Sequence, residues 1–227
     1  MTPDRTVIVA GSDGDIGQAI ARDFSKAGYR TIGISRAERC KGKLGLSYRT
    51  DLSDANAVRD TATRIFSEAG PVRLVVNAAG QFHRTMDNAS DADVFKNNFS
   101  VAENILKSFS ERMKSIPQSR IITVGSWDGI YPNVNSYSYS VVKSAIRTLV
   151  RLYQKSFRDT PLNFDLLLPG AVNTRMRKDK AEDKTTLIQP EDIAQICVCL
   201  ANLSTSSAIE EIVLYPKTGS YSSYRPW

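Results

Sequence analysis

Apolar and polar positions along the chain follow two alternating rhythms. Short, β-branched apolar runs recur at residues 6–10, 31–35, 72–77, 120–125, 163–168 and 211–215. Continuous apolar runs of that length suit strands buried on both faces. Between them, apolar residues return every three or four positions, which predicts amphipathic helices over 16–27, 55–68, 91–114, 140–157 and 190–203. Pro190, followed by Glu191 and Asp192, is a helix start: proline suits the first turn, and the acids face the positive end of the dipole. Gly28 and Gly70 are placed to stop the first two helices. Strand–helix alternation of this kind predicts an α/β fold, a doubly wound parallel sheet with helices on both faces. No linker, repeat or low-complexity tract interrupts it, so residues 1–227 are expected to form a single domain.

Composition narrows the class. The 227 residues are 41% hydrophobic and 24% charged, as in ordinary soluble globular proteins. No apolar run approaches the ~20 residues of a membrane span, and the N-terminus lacks a signal-peptide pattern. The net charge of +6 comes from basic residues spread among acids, which argues against a nucleic-acid partner. The exception is a local cluster of Arg36, Arg39, Lys41 and Lys43. Of three cysteines, Cys197 and Cys199 stand two apart on a predicted helix and point in different directions, so neither a disulfide framework nor a cysteine metal site is indicated. A cytoplasmic location fits. His83 is the only histidine, which excludes a histidine-rich metal site, and no metal is expected.

The first strand runs into Ala-Gly-Ser-Asp-Gly-Asp-Ile-Gly, where Gly11, Gly14 and Gly17 are three apart at a strand-to-helix turn. Such glycines let the backbone approach a pyrophosphate, and the helix N-terminus attracts the anion. Gly11, Ser12, Gly14, Asp15 and Ile16 are the candidate contacts. Asp13 and Asp15 are unusual company for a phosphate. Carboxylates suit a first helical turn, so both are expected to point away from the ligand while backbone N–H groups bind it. The competing reading is a loop that no longer binds dinucleotide. The second strand ends at Ser35 and Arg36, where an acid would hydrogen-bond a bare ribose. A guanidinium pairs instead with a 2′-phosphate. NADP(H) is therefore preferred, with NAD(H) as the other possibility and a solvated basic loop as the bland alternative.

These motifs, in order, resemble the short-chain dehydrogenase/reductase family from Thr6 to about Tyr215. Asp51 and Leu52 look like the pair that contacts adenine after the family's third strand. Asn77, Ala78, Ala79 and Gly80 resemble its Asn-Ala-Gly stretch beside the cofactor. Pro169, Gly170, Val172 and Thr174 resemble the loop that holds the nicotinamide amide. The resemblance implies a Rossmann fold carrying cofactor and catalytic sites in one domain.

The family sets a tyrosine and a lysine four residues apart on one helix. Tyr139 has Lys143 at that offset, whereas Tyr137 has Val141. The spacing puts both side chains on one face, and the lysine's charge is expected to lower the tyrosine pKa. Tyr139 is thus the candidate acid/base, and Tyr137 is pocket wall or packing. Ser126, thirteen residues before Tyr139, matches the family's serine that polarises the substrate oxygen. Asn97 or Asn98 corresponds to the asparagine of the proton relay, and the apolar run that follows favours Asn98. The implied reaction is hydride transfer between the nicotinamide and a carbonyl or alcohol carbon of a small-molecule substrate. Lys143 would also hold the nicotinamide ribose.

Three features depart from the family's pattern: Ala10 where threonine is common, Asp15 where glycine is common, and no glycine-rich ending after the last strand. In the lid region, residues 175–189, Arg175 and Arg177 face an acidic substrate or form a solvated surface. Phe82, Trp127 and Tyr131 line an aromatic pocket or pack in the core. Family resemblance suggests a homodimer or homotetramer built from the long helices. A non-catalytic dinucleotide sensor or scaffold, and an epimerase or dehydratase on the same fold, remain as alternatives.

Overall fold

The computed structural model describes residues 5–37, 45–85, 89–176, 184–204 and 206–217. Arg39, Lys41, Lys43, Cys40, Arg177 and the C-terminal tail lie outside them. Seven parallel strands form one sheet in the order β3-β2-β1-β4-β5-β6-β7. They are β1 (Thr6–Ala10), β2 (Arg30–Ser35), β3 (Leu46–Arg49), β4 (Leu74–Asn77), β5 (Ser119–Val124), β6 (Leu162–Pro169) and β7 (Glu211–Leu214). The helices are α1 (Asp15–Lys26), α2 (Ala55–Ala69), α3 (Asp91–Phe95), α4 (Val101–Met113), α5 (Tyr137–Ser156) and α6 (Pro190–Ala201).

The sheet has a core on each face. On one, Ile8, Ile121 and Leu166 pack against Val58 and Ile65 of α2, Ile105 and Phe109 of α4, and Ile146 and Val150 of α5. On the other, Val7, Val9 and Leu167 meet Ile20 and Phe24 of α1 and Ile193 and Cys197 of α6. Every side chain of β1, β4 and β5 is buried, as a sheet covered on both sides requires. Gly28 and Gly70 end α1 and α2 at positive φ, 81° and 75°. Asp54 caps α2 by accepting from the amides of Asn56 and Ala57, and α6 opens with a capping box of Gln189 and Asp192 ahead of Pro190.

Two expectations change. The sequence predicts six strands, and the seventh, β3, is an edge strand in which only Tyr48 is buried. A strand with one buried side chain carries no apolar run. The helix expected over 91–114 is three pieces: α3, a π-helical turn (Lys96–Ser100) and α4. Helical apolar spacing does not reveal a one-residue widening of the turn, and such widenings gather at functional sites.

Candidate active site

The order of the sheet reverses between β1 and β4, which pair in parallel with Ala10 opposite Asn77. At such a reversal the chain leaves the two strands in opposite directions and opens a crevice beyond their carboxyl ends. A cleft of about 1650 Å3 occupies that place, larger than the ~300–1,000 Å3 of a single small-ligand pocket. Gly11, Gly14, Asp15, Ile16, Ser35, Arg36, Asp51, Leu52, Ala78, Ala79, Gly80, Pro169, Gly170, Val172 and Thr174 all line it. Ser12 and Asn77 are buried just behind the lining.

The glycine turn fits a pyrophosphate. Gly11 has φ 79°, and a Cβ on it would stand 2.7 Å from Ala79; a Cβ on Gly17 would stand 2.1 Å from the Gly11 carbonyl. Backbone thus fills the space where side chains would be. Gly14 begins α1 with no side chain capping the helix, which leaves the first N–H groups for an anion. Asp13 and Asp15 both line the cleft, and the Asp15 carboxylate is taken up by Arg175. That carboxylate accepts from the backbone N and the Nε of Arg175, each at 2.6 Å, and Arg175 also donates to the Asp13 carbonyl at 3.3 Å. Arg175 is therefore the partner of the acid in the phosphate turn, and its side chain stays on the solvated surface, 63% exposed, as one of the two alternatives for the lid had it. At the adenosine end, Arg36 is exposed. Asp51, whose oxygen accepts from the Ser53 amide and hydroxyl, has its pKa lowered by those two bonds and by the nearby Arg36 and Lys96.

The other end of the cleft holds Ser126 and Tyr139. Ser126 follows β5, is 8% exposed and lines the cleft together with Tyr139. Tyr139 and Lys143 share one face of α5, with the Lys143 ammonium 5.2 Å from the centre of the Tyr139 ring. Phe82 meets that ring edge-on at 5.0 Å. Tyr137, at the start of α5, is 64% exposed and absent from the cleft lining, so it is not a pocket wall. Alternation of side chains around the helix separates the two tyrosines.

Asn98 sits in the π-helical turn, 1% exposed. It accepts from the Gln81 amide at 3.1 Å and donates to the carbonyls of Gln81 at 2.9 Å and Val94 at 3.0 Å. Asn98 is thus the brace of the Gly80–Gln81 loop, while Asn97 lines the cleft. Trp127 packs on Tyr131 at 4.6 Å and Tyr215 at 5.7 Å. Trp127 is buried, so it is both core and cleft floor. His83 also lines the cleft, with a buried Nε2 that has no hydrogen-bond partner.

Electrostatics at this end overturn one expectation. Burial drives the Tyr139 hydroxyl well above the usual tyrosine range, the Asp128 carboxylate adds to that, and the nearby Ser126 hydroxyl opposes it. Tyr139 is therefore a phenol over the working pH range instead of being pulled down by Lys143. Burial lowers Lys143 to about 8, and Asp128 raises it. The sequence analysis missed Asp128. Its only sign there was a charge two residues beyond Ser126, at the end of an apolar strand.

Comparison with known proteins identifies the family. The family model described as short chain dehydrogenase matches residues 5–185. A 3-oxoacyl-[acyl-carrier-protein] reductase of Mus musculus is 26% identical over 190 residues, covering 79% of this chain and 80% of its own. The Homo sapiens dehydrogenase/reductase SDR family member 11 is 25% identical, covering 94% of both chains. Among solved structures, the alcohol dehydrogenase of the archaeon Thermococcus sibiricus, complexed with 5-hydroxy-NADP, superposes with a TM-score of 0.83. It is 24% identical and covers 98% of each chain. No helix among the described residues is long and apolar enough to cross a membrane.

Proposed function

The chain belongs to the short-chain dehydrogenase family of NAD(P)-dependent oxidoreductases, and from that premise we propose that it is an NADPH-dependent reductase of a small carbonyl compound, or the reverse alcohol dehydrogenase. The observation that carries the reading is the meeting of Ser126 and Tyr139 at the cleft wall, with Lys143 on the same face of α5. A scaffold that only bound dinucleotide would not need it.

The glycine turn and the N-terminus of α1 would hold the pyrophosphate. Arg36 would pair with a 2′-phosphate, Asp51 and Leu52 would flank the adenine, and Pro169 to Thr174 would hold the nicotinamide amide. When bound, the cofactor supplies the hydride. Ser126 donates a hydrogen bond to the carbonyl oxygen and polarises it. Tyr139, held as a phenol by its burial, gives its proton to that oxygen as negative charge develops there. Lys143 stabilises the tyrosinate left behind, and Asn98 keeps the Gly80–Gln81 loop in place beside it.

The substrate region favours an apolar or aromatic carbonyl. Phe82, Tyr131, Met176 and Tyr215 line it, and the Met176 sulfur accepts from the Phe82 amide at 3.0 Å, drawing two sides of the mouth together. Assembly as a homodimer or homotetramer is supported by apolar surface at Phe95 of α3 and at Val141 and Leu152 of α5, exposed by 46, 55 and 56%. The purified protein, mixed with NADPH and a panel of ketones, quinones and keto acids, is expected to oxidise the cofactor with at least one aromatic ketone or quinone. NADPH oxidation by none of them would overturn the reading.

A further inference from the structure

Among the described residues, Asp128 is the carboxylate that lines the cleft beside Ser126 and Tyr139, and the proposed chemistry does not use it. Its backbone N–H donates to the Ser126 Oγ at 3.2 Å. Its Oδ2 accepts from the Ser136 hydroxyl at 2.8 Å, and the Ser140 hydroxyl lies near enough to favour its charged form. Ser140 in turn accepts from the Asn133 amide at 3.0 Å. The next residue, Gly129, lies so close to α5 that a Cβ on it would stand 2.8 Å from the Lys143 carbonyl. Its own carbonyl accepts from the Ser144 hydroxyl at 3.3 Å. The turn that carries Ser126 is therefore fastened to the helix that carries Tyr139 and Lys143, with Asp128 as the fastening. α5 has no acid in its own first turn and no side-chain cap at Ser136. Asp128 supplies from outside the negative charge that a helix start favours.

We propose that Asp128 is a positioning residue of the reaction: its carboxylate locks Ser126 against the start of α5 and acts as the counter-charge of Lys143 across the active site. The proposal rests on the reductase reading for its purpose, but its physical content does not. Among the described residues, the ionisable groups in electrostatic contact with Asp128 are Lys143 and Tyr139, both on α5. A carboxylate here opposes the neutralisation that burial imposes on Lys143. The lysine then stays cationic over more of the range in which it must stabilise a tyrosinate. The same charge resists ionisation of Tyr139 and so preserves the proton donor. Burial raises the Asp128 pKa, and the Ser136 hydrogen bond and the Lys143 charge oppose that rise and favour the counter-charge.

The test follows the titration of Lys143 by NMR in protein labelled at the lysine side-chain carbons, its resonance assigned by its loss in Lys143→Met. No substrate or cofactor is needed. In the wild type the midpoint is expected at about 8. Asp128→Asn keeps the shape and removes the charge, and should move that midpoint to lower pH by roughly one unit or more. Asp128→Glu should move it back towards the wild type. Asp128→Ala serves as a second neutral variant if the asparagine form does not fold. With a substrate, the pH at which kcat/KM falls should move with the lysine, while cofactor Kd stays put. A Lys143 midpoint that is the same with and without the carboxylate would overturn the proposal, even if stability dropped. Failure of the wild type to reduce any carbonyl would instead overturn the reductase reading and leave the lysine titration standing.

Discussion

At the catalytic end of the cleft, Asn98, Ser126 and Lys143 are 1, 8 and 4% exposed, and each is fixed by packing or by hydrogen bonds from other elements. At the nucleotide end, Arg36 lies open to solvent and the Arg175 side chain is 63% exposed, although Arg175 holds Asp15 with two short bonds, one from its Nε and one from its backbone N–H. One end works through groups whose ionisation is set by burial. The other works through exposed charges, whose pairing is weakened by water and salt. Loss of a group should therefore be severe at the first and graded at the second.

The largest effect is expected at Tyr139. Tyr139→Phe removes only the phenolic hydroxyl and should lower kcat by at least about a hundredfold, within the range of general acid catalysis. NADPH binding, followed by nicotinamide fluorescence, should be nearly unchanged. Tyr137→Phe should keep most activity, since that ring faces solvent. The opposite order of the two variants would exchange their roles.

Next comes pH. Lys143 has its pKa lowered by burial to about 8, so it is cationic below that value and neutral above it. The reductive kcat/KM should hold below about 8 and fall as pH rises through it. A rate flat across that point would mean that the charge on Lys143 does not matter to the reaction.

At the open end, NADPH should bind about tenfold or more tighter than NADH, the worth of a hydrogen bond to a charged group. Raising salt should shrink the difference. Arg36→Ala should remove most of it, and Ser35→Asp should turn it towards NADH. Equal affinities in the wild type, or a preference indifferent to Arg36, would break the assignment.

The smallest effect belongs to the ion pair in the phosphate turn. Arg175→Met leaves Asp15 uncompensated in the cleft wall and should weaken NADPH binding by no more than about fivefold, the scale of an exposed ion pair. Asp15→Asn added to it should restore the affinity. If the double variant bound as weakly as Arg175→Met, the acid would not be what Arg175 offsets.

The contrast between the two ends also explains what the sequence could tell. Tyr139 and Lys143 were legible because helical geometry alone joins residues four apart, and six of the seven strands because they carry apolar runs, which burial on both faces demands of most of them. Asp15 was legible as an anomaly but not as half of a pair. Its partner, Arg175, is 160 positions away, and only the path of the chain after β6 brings it near. Asp128 was hidden for a similar reason. Its meaning depends on Ser136 and Ser140, which a one-dimensional pattern treats as ordinary helix-start residues. The π-helical turn around Asn98 leaves no trace in apolar spacing, because its flanking helices keep the same buried face. The basic cluster beyond Arg36 falls mostly outside the described residues, so there the sequence remains the guide.

Transfer of a label from the cofactor tests the central claim most directly. NADPH deuterated at the transferring carbon of its nicotinamide would be incubated with an accepted ketone and either wild-type protein or Tyr139→Phe. The account predicts deuterium on the carbinol carbon of the alcohol with the wild type, and at least about a hundredfold less with the variant although it binds NADPH equally well. Deuterium transferred equally by both proteins, or by neither, would contradict it.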